Sequence, residues 1–140
     1  MLRYVFVALA LAAVGCSGGT GPEVVVYTAH DDVYSRPILD GFEAATGITV
    51  RAAYDTEAAK TTGLVTRLVA EQDRPRADVF WNNEIAQTMK LEAAGVLAPY
   101  DSPAAEPIPA LYKDEAGYWT GFAARARVII YNTELMETPP

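Results

Sequence analysis

The chain has one cysteine, one histidine and fewer basic than acidic residues, 11 Lys and Arg against 18 Asp and Glu in 140, for a net charge of −7. Each scarcity excludes something. A single thiol, Cys16, forms no internal disulfide, so it is either a loose reactive group or has another task. With His30 as the sole imidazole, the usual nucleophile and base pairs cannot be assembled. Catalysis would need carboxylates alone, and nothing in the sequence brings two of them together. The acidic excess excludes nucleic acid, because a phosphate backbone selects basic faces. Also absent are a G-x-G-x-x-G after a strand, a P-loop, a G-x-S-x-G elbow, a C-x-x-C pair and an H-E-x-x-H helix. The pattern points to binding rather than to an enzyme.

Nor does any apolar run reach the ~20 residues of a membrane span. The longest, residues 4–14, follows the single positive residue Arg3 and precedes Gly15 and Cys16, which reads as a signal peptide over residues 1–15. Residues 16–22, rich in Ser and Gly, then read as a flexible tether. Removal of the signal takes away Arg3 and no acid, which makes the remainder more acidic still. Residues 23–140 suffice for one compact domain.

Within that domain two blocks stand out, VVVYTAHDD (24–32) and ADVFWNNE (77–84). Each is a short apolar strand that ends abruptly in polar, ligand-capable side chains where a helix begins. The run 24–27 is too apolar for a strand with one wet face and predicts a parallel strand covered on both sides. Asp31 or Asp32 is placed to cap a helix carrying Val33, Ile38, Leu39 and Phe42 down to Gly47. A second strand follows at 48–53. A helix with a capping set at Thr56 and Glu57 carries Leu64, Val65, Leu68 and Val69 to about Gln72. Strand 78–81 and helix 84–94, stopped by Gly95, complete the alternation before a proline-rich loop at 99–109. A last strand is expected at 127–131. The order predicts an α/β fold with a mainly parallel sheet, helices on both faces and right-handed crossovers. In such a sheet the strands' carboxyl edge is the binding edge.

The residues that reach this edge are few. His30 can be a metal ligand, a hydrogen-bond donor to an anion, or a polar loop residue. Glu84 can supply the oxygen that a hard trivalent metal prefers, or can simply favour a helix start. Thr28, Asn82 and Asn83 lie at the ends of the two strands as polar candidates. Lys60 and Thr61 fall near the second helix's amino end, an anion cradle if it is used. Arg125 and Arg127 point the same way from the last strand, where a guanidinium can clamp a carboxylate, carbonate or phosphate, or pair with an acid in solvent. Tyr112, Tyr118, Trp119 and Phe122 gather around Gly117 and Gly121 and read as packing before ligand stacking.

Taken in order, VVVYTAHDD, GFEAATGITV (41–50), ADVFWNNE, LEAAGVLAPY (91–100) and GYWTGFAARARVIIYNT (117–133) resemble the extracellular solute-binding proteins of ABC transporters, and among them the ferric-iron-binding group. The resemblance spans about residues 23–138. It implies the N-terminal lobe of a two-lobe binding fold, with residues 128–132 crossing toward a second lobe. It also implies an exported monomer that captures Fe3+ with a synergistic carbonate or phosphate and passes it to the membrane subunits of a permease. By the same resemblance Cys16, after Ala13, Val14 and Gly15, is the acylated cysteine of a lipoprotein signal, anchoring the protein to a membrane. The group's metal-binding histidine falls on His30, through a loop one residue shorter. Its carboxylate falls on Asn83, with Glu84 one step later. The adjacent tyrosines of the group's second lobe do not occur in these 140 residues. Relatives of the same fold take phosphonates or other small anions, which is the alternative ligand. A membrane-tethered flavodoxin-like enzyme is the alternative of another class.

Overall fold

The structure, a computed structural model, describes residues 21–55, 61–124, 126 and 128–138. Three strands alternate with three helices: β1 (Glu23–Thr28), α1 (Asp32–Thr46), β2 (Thr49–Tyr54), α2 (Thr62–Ala70), β3 (Val79–Trp81) and α3 (Ile85–Ala93). The β-branched and aromatic side chains of β1 suit a pleated, buried surface, and β1 takes the centre of a sheet ordered β2-β1-β3. Both pairings are parallel. Glu23 to Thr28 face Thr49 to Tyr54 in unbroken register, and Val26 to Thr28 face Val79 to Trp81. The crossover from β1 to β2 runs one way across the sheet and that from β2 to β3 runs the other. Tyr54 lies near Ser35 of α1 and Tyr27 against Arg67 and Glu71 at α2, and since these two occupy successive register positions, which face opposite ways, α1 and α2 cover opposite faces as the alternation predicts.

The core sits where β1 meets the second of these faces. Tyr27, Leu64, Val65 and Leu91 are all buried there, Leu91 completely, while Val26, one step from Tyr27 along the strand, is buried on the other face. Tyr27 fastens α2 to the sheet: its hydroxyl donates to Glu71 Oε2 at 2.9 Å, and the Arg67 guanidinium lies 4.4 Å from its ring centroid. Arg67 in turn reaches Glu71 Oε1 at 2.9 Å. Burial first, and the bond to Glu71 second, raise the Tyr27 phenol above the ordinary tyrosine range. At the opposite end of β1, Asp78 pairs with Val25 twice, its N–H donating to the carbonyl at 2.9 Å and its Oδ2 accepting the amide at 2.8 Å.

Several expectations are corrected. Helix α1 touches the sheet through Ser35, Leu39 and Glu43, spaced by four, whereas Val33, Ile38 and Phe42 are exposed. Ser35 is small enough to bring the helix close, and Glu43 Oε1 accepts the Val50 N–H at 2.9 Å. The position before α1 belongs to Asp31, but its side chain makes no capping bond. Asp32 instead pairs with Arg36 at 2.7 Å. Helix α2 begins after Thr61, and the capping set at Thr56 and Glu57 lies outside the described residues. Helix α3 ends as the glycine predicts: with Gly95 at φ 70°, its N–H donates to the Glu92 carbonyl and Val96 N–H to that of Leu91, a Schellman closure.

No last strand forms among the described residues of 127–131. Val128, Ile129 and Ile130 are exposed and unpaired with any strand. The apolar pattern is that of a strand, but an extended run becomes one only when a neighbour takes its backbone groups. Ahead of it, Lys113 and Thr120 bridge antiparallel in a small hairpin, pinned to α3 by Trp119 Nε1 donating to Glu92 Oε2 at 3.1 Å.

Two outcomes follow from this packing. Leu91→Ala leaves a cavity in the wholly buried α3 contact and lowers stability by about 3 kcal/mol, read as a shift in the urea midpoint. Tyr27 binds its proton more tightly folded than unfolded, so its contribution is complete below pH ~10 and is lost as pH rises through the raised folded value. Urea midpoints of Tyr27→Phe therefore fall less steeply than those of the unaltered chain as pH rises above that range.

Candidate functional site

Parallel pairing on both sides of β1 delivers the chain leaving each strand to a single edge. Backbone bonds knit the departing segments together: Ala29 N–H donates to the Trp81 carbonyl at 3.1 Å, and Asp55 N–H to the Thr28 carbonyl at 3.2 Å. Asn83 reaches across from the β3 loop, its Nδ2 donating to the Ala29 carbonyl at 3.4 Å. The two polar blocks, some fifty residues apart in sequence, thus meet.

His30 stands at the centre of this meeting, and both sides of its backbone are held. Its N–H donates to Thr28 Oγ1 at 3.0 Å, and its carbonyl accepts from Ser35 Oγ at 3.3 Å. Thr28 and Ser35 are both wholly buried. The imidazole stacks on Tyr34, centroids 6.0 Å apart and planes at 27°, and leans on Trp81 at 5.3 Å. Phe122 packs on Trp81 at 6.0 Å. Nδ1 of His30 is buried and has no hydrogen-bond partner among the described residues.

Two further buried polar atoms share that condition. One is the Tyr54 hydroxyl, at the last residue of β2, which lies near Ser35 and Asp32 without a well-formed bond. Burial raises this phenol above its usual range. The other is Gln87 Oε1, in the first turn of α3. All three belong to segments that leave the carboxyl edge. Buried polar atoms are nearly always paired, so those that lack a partner among the described residues, His30 Nδ1 above all, make this edge the candidate place for a ligand.

The remaining predicted residues divide. Asn82 is occupied locally, its Oδ1 accepting the Glu84 N–H at 2.7 Å and its Nδ2 donating to Thr88 Oγ1 at 2.9 Å. Glu84 is exposed in an extended conformation just before α3 and makes no side-chain cap. Thr61 is buried before α2 with φ at 67°, a conformation that a β-branched side chain rarely takes. The amino end of α2 is drawn to the edge because Asp55 Oδ2 accepts the Leu64 N–H at 3.2 Å. Lys60, Arg125, Arg127 and Cys16 lie outside the described residues. Among the described residues no group of three or more His, Cys, Asp and Glu side chains is assembled to hold a metal.

Sequence reasoning passed over Tyr34, Tyr54 and Trp81. Trp81 had a legible signal, since it ends β3 in the layer where His30 follows β1. Of the four aromatics gathered around Gly117 and Gly121, Phe122 goes to this edge and Trp119 goes to α3.

The profile of the bacterial extracellular solute-binding proteins matches residues 20–140. The Fe(3+)-binding periplasmic protein of Serratia marcescens is 32% identical over 126 residues, 89% of this chain and 35% of that protein. The ferric iron-binding protein A of Mannheimia haemolytica, solved in an open conformation, superposes with a TM-score of 0.63 at 32% identity, over 72% of this chain and 31% of that one. A Trichodesmium protein solved with iron and citrate ligands gives a TM-score of 0.62 at 25% identity, over 71% and 31%. The chain thus spans about a third of the length of these relatives. A parallel α/β sheet with its polar loops at one edge, matched across nearly all the described residues, makes this chain a member of the bacterial extracellular solute-binding protein family.

Proposed function

We propose that this chain forms the N-terminal lobe of the ferric-iron receptor of an ABC importer. It is exported, held to a membrane through an acylated Cys16, and delivers its cargo to the permease's membrane subunits as a monomer. Iron is cargo rather than cofactor, and no reaction is catalysed. The observation that carries this reading is the buried, unpartnered Nδ1 of His30 at the carboxyl edge, in a chain whose relatives bear the names of ferric-binding proteins.

Each residue then has a task. His30 gives the metal an imidazole nitrogen, and Glu84 an oxygen suited to a hard trivalent ion. Asn83, already bonded to the β1 loop, keeps the two loops together. Thr28 sets the His30 backbone, and Asn82 sets the start of α3. Thr61, with Lys60 and Arg125, holds a synergistic anion such as carbonate or phosphate, where backbone N–H groups and a guanidinium favour negative charge. Two protein donors do not fill a ferric coordination sphere. The others come from a second lobe that closes over the cleft by a hinge, the ligand favouring the closed state through contacts to both sides.

In the complete receptor His30→Ala should weaken ferric binding by more than the roughly 10–100-fold that loss of an outer-shell partner costs, with the fold unchanged by circular dichroism. Glu84→Gln should weaken binding as well, and Asn83→Ala much less. Competition titrations against a ferric chelator measure all three. Unchanged iron binding by His30→Ala, together with phosphonate binding abolished by Arg125→Ala, would make the receptor an anion binder instead.

A further inference from the structure

We infer that Trp81 is a positioning residue for His30: its indole holds the imidazole in the orientation that presents it to the ligand. The inference rests on the reading of His30 as a ligand and adds the group that aims it. A histidine ring with both nitrogens free of protein partners would turn about its side-chain bonds, and a metal would have to select one orientation from many. Metal-bound histidines are ordinarily fixed by a hydrogen bond from the second nitrogen to a carboxylate or carbonyl. Neither ring nitrogen of His30 is bonded to a described residue, Nδ1 being buried as well, so whichever nitrogen coordinates, the other has no such partner.

What it has instead is aromatic contact. Trp81 is the nearer ring, at 5.3 Å, with Tyr34 at 6.0 Å. Tyr34 is largely exposed, whereas Trp81 is half-buried, with the exposed Phe122 ring 6.0 Å beyond it. Its backbone is anchored too. Trp81 is the last residue of β3, in register with Thr28, and its carbonyl accepts the Ala29 N–H next to His30. The indole and the imidazole are therefore set by the same pair of strand ends, which is how packing can replace a missing hydrogen bond in fixing a ligand.

The test compares Trp81→Leu with Trp81→Phe in the full-length receptor. Ferric affinity is measured by chelator competition, inorganic phosphate binding by calorimetry on metal-free protein, and imidazole order by carbon relaxation at the His30 ring, its signal assigned by loss in His30→Asn. Trp81→Leu should weaken ferric binding roughly 10–100-fold, as for other outer-shell losses, and lower the ring's order while leaving phosphate binding intact. Trp81→Phe, which keeps a ring, should recover most of both losses. Native ferric affinity and native ring order in Trp81→Leu would overturn the inference, as would an equal loss of phosphate binding, the mark of general damage. If His30→Ala itself binds iron normally, the ferric role of His30 fails separately, and ring order still decides whether Trp81 holds the imidazole.

Discussion

Because β1 is hydrogen-bonded along both sides, parallel to β2 over its whole length and to β3 over its last three residues, every segment leaving the sheet departs at one edge. An antiparallel neighbour would have sent one of those loops to the far end. The convergence of residues 28–30, 54–55 and 81–84 is thus a consequence of strand direction before any side chain is considered. Side chains then refine it: Asn83 bridges to Ala29, and Asp55 draws in the start of α2. The same pairing explains why α1 and α2 occupy opposite faces. It also explains why Tyr27, at the middle of the sheet, can reach α2 and lock it through Glu71 and Arg67.

The two ends of the sheet are finished differently. At the amino end, Asp78 satisfies both backbone groups of Val25, and Arg51 pairs with Glu23 at 2.7 Å. At the carboxyl end, Thr28 and Ser35 are buried and spent on the His30 backbone, while the imidazole itself is left to aromatic neighbours. Backbone there is held by hydrogen bonds and the imidazole ring by packing. A site built in this way keeps its nitrogen lone pair uncommitted, which suits the capture of a metal.

Much of this was legible in the sequence, and the part that was not has identifiable causes. The apolar, β-branched run at 24–27 with polar residues just beyond it gave away a central parallel strand and its binding edge. Gly47 and Gly95 stopped their helices where left-handed backbone was needed. The face of α1 was misread because periodicity marks the apolar stripe, while contact with the sheet is made through small Ser35 and through Glu43 bonded to Val50. The strand at 127–131 was misread because composition reports propensity, and a strand also needs a neighbour. Trp81 could be placed at the end of β3 from sequence, but the register that sets it beside Thr28 is contained in no local pattern. Asn82 reads in sequence like Asn83, yet a single step along the chain sends one amide into local bonds and the other across the edge.

The irregularities of the molecule are concentrated where binding is proposed. Thr61 is the one non-glycine residue at positive φ among those described, and it stands before α2 at the same edge as His30, Tyr54 and Gln87 with their unbonded atoms. A buried unsatisfied group costs about 1–3 kcal/mol, and a strained backbone position a similar amount. Several such terms together are a large part of the ~5–15 kcal/mol that separates a folded domain from its unfolded chain. Were they accidents of packing, they would be scattered through the fold, but among the described residues the amino end of the sheet shows none. A surface that must accept a ligand has to keep some polar groups unpaired, because a group already satisfied within the protein gains nothing from a new partner. A ligand bound there would offset the deficit, and the folded receptor would be stabilised by it through mass action.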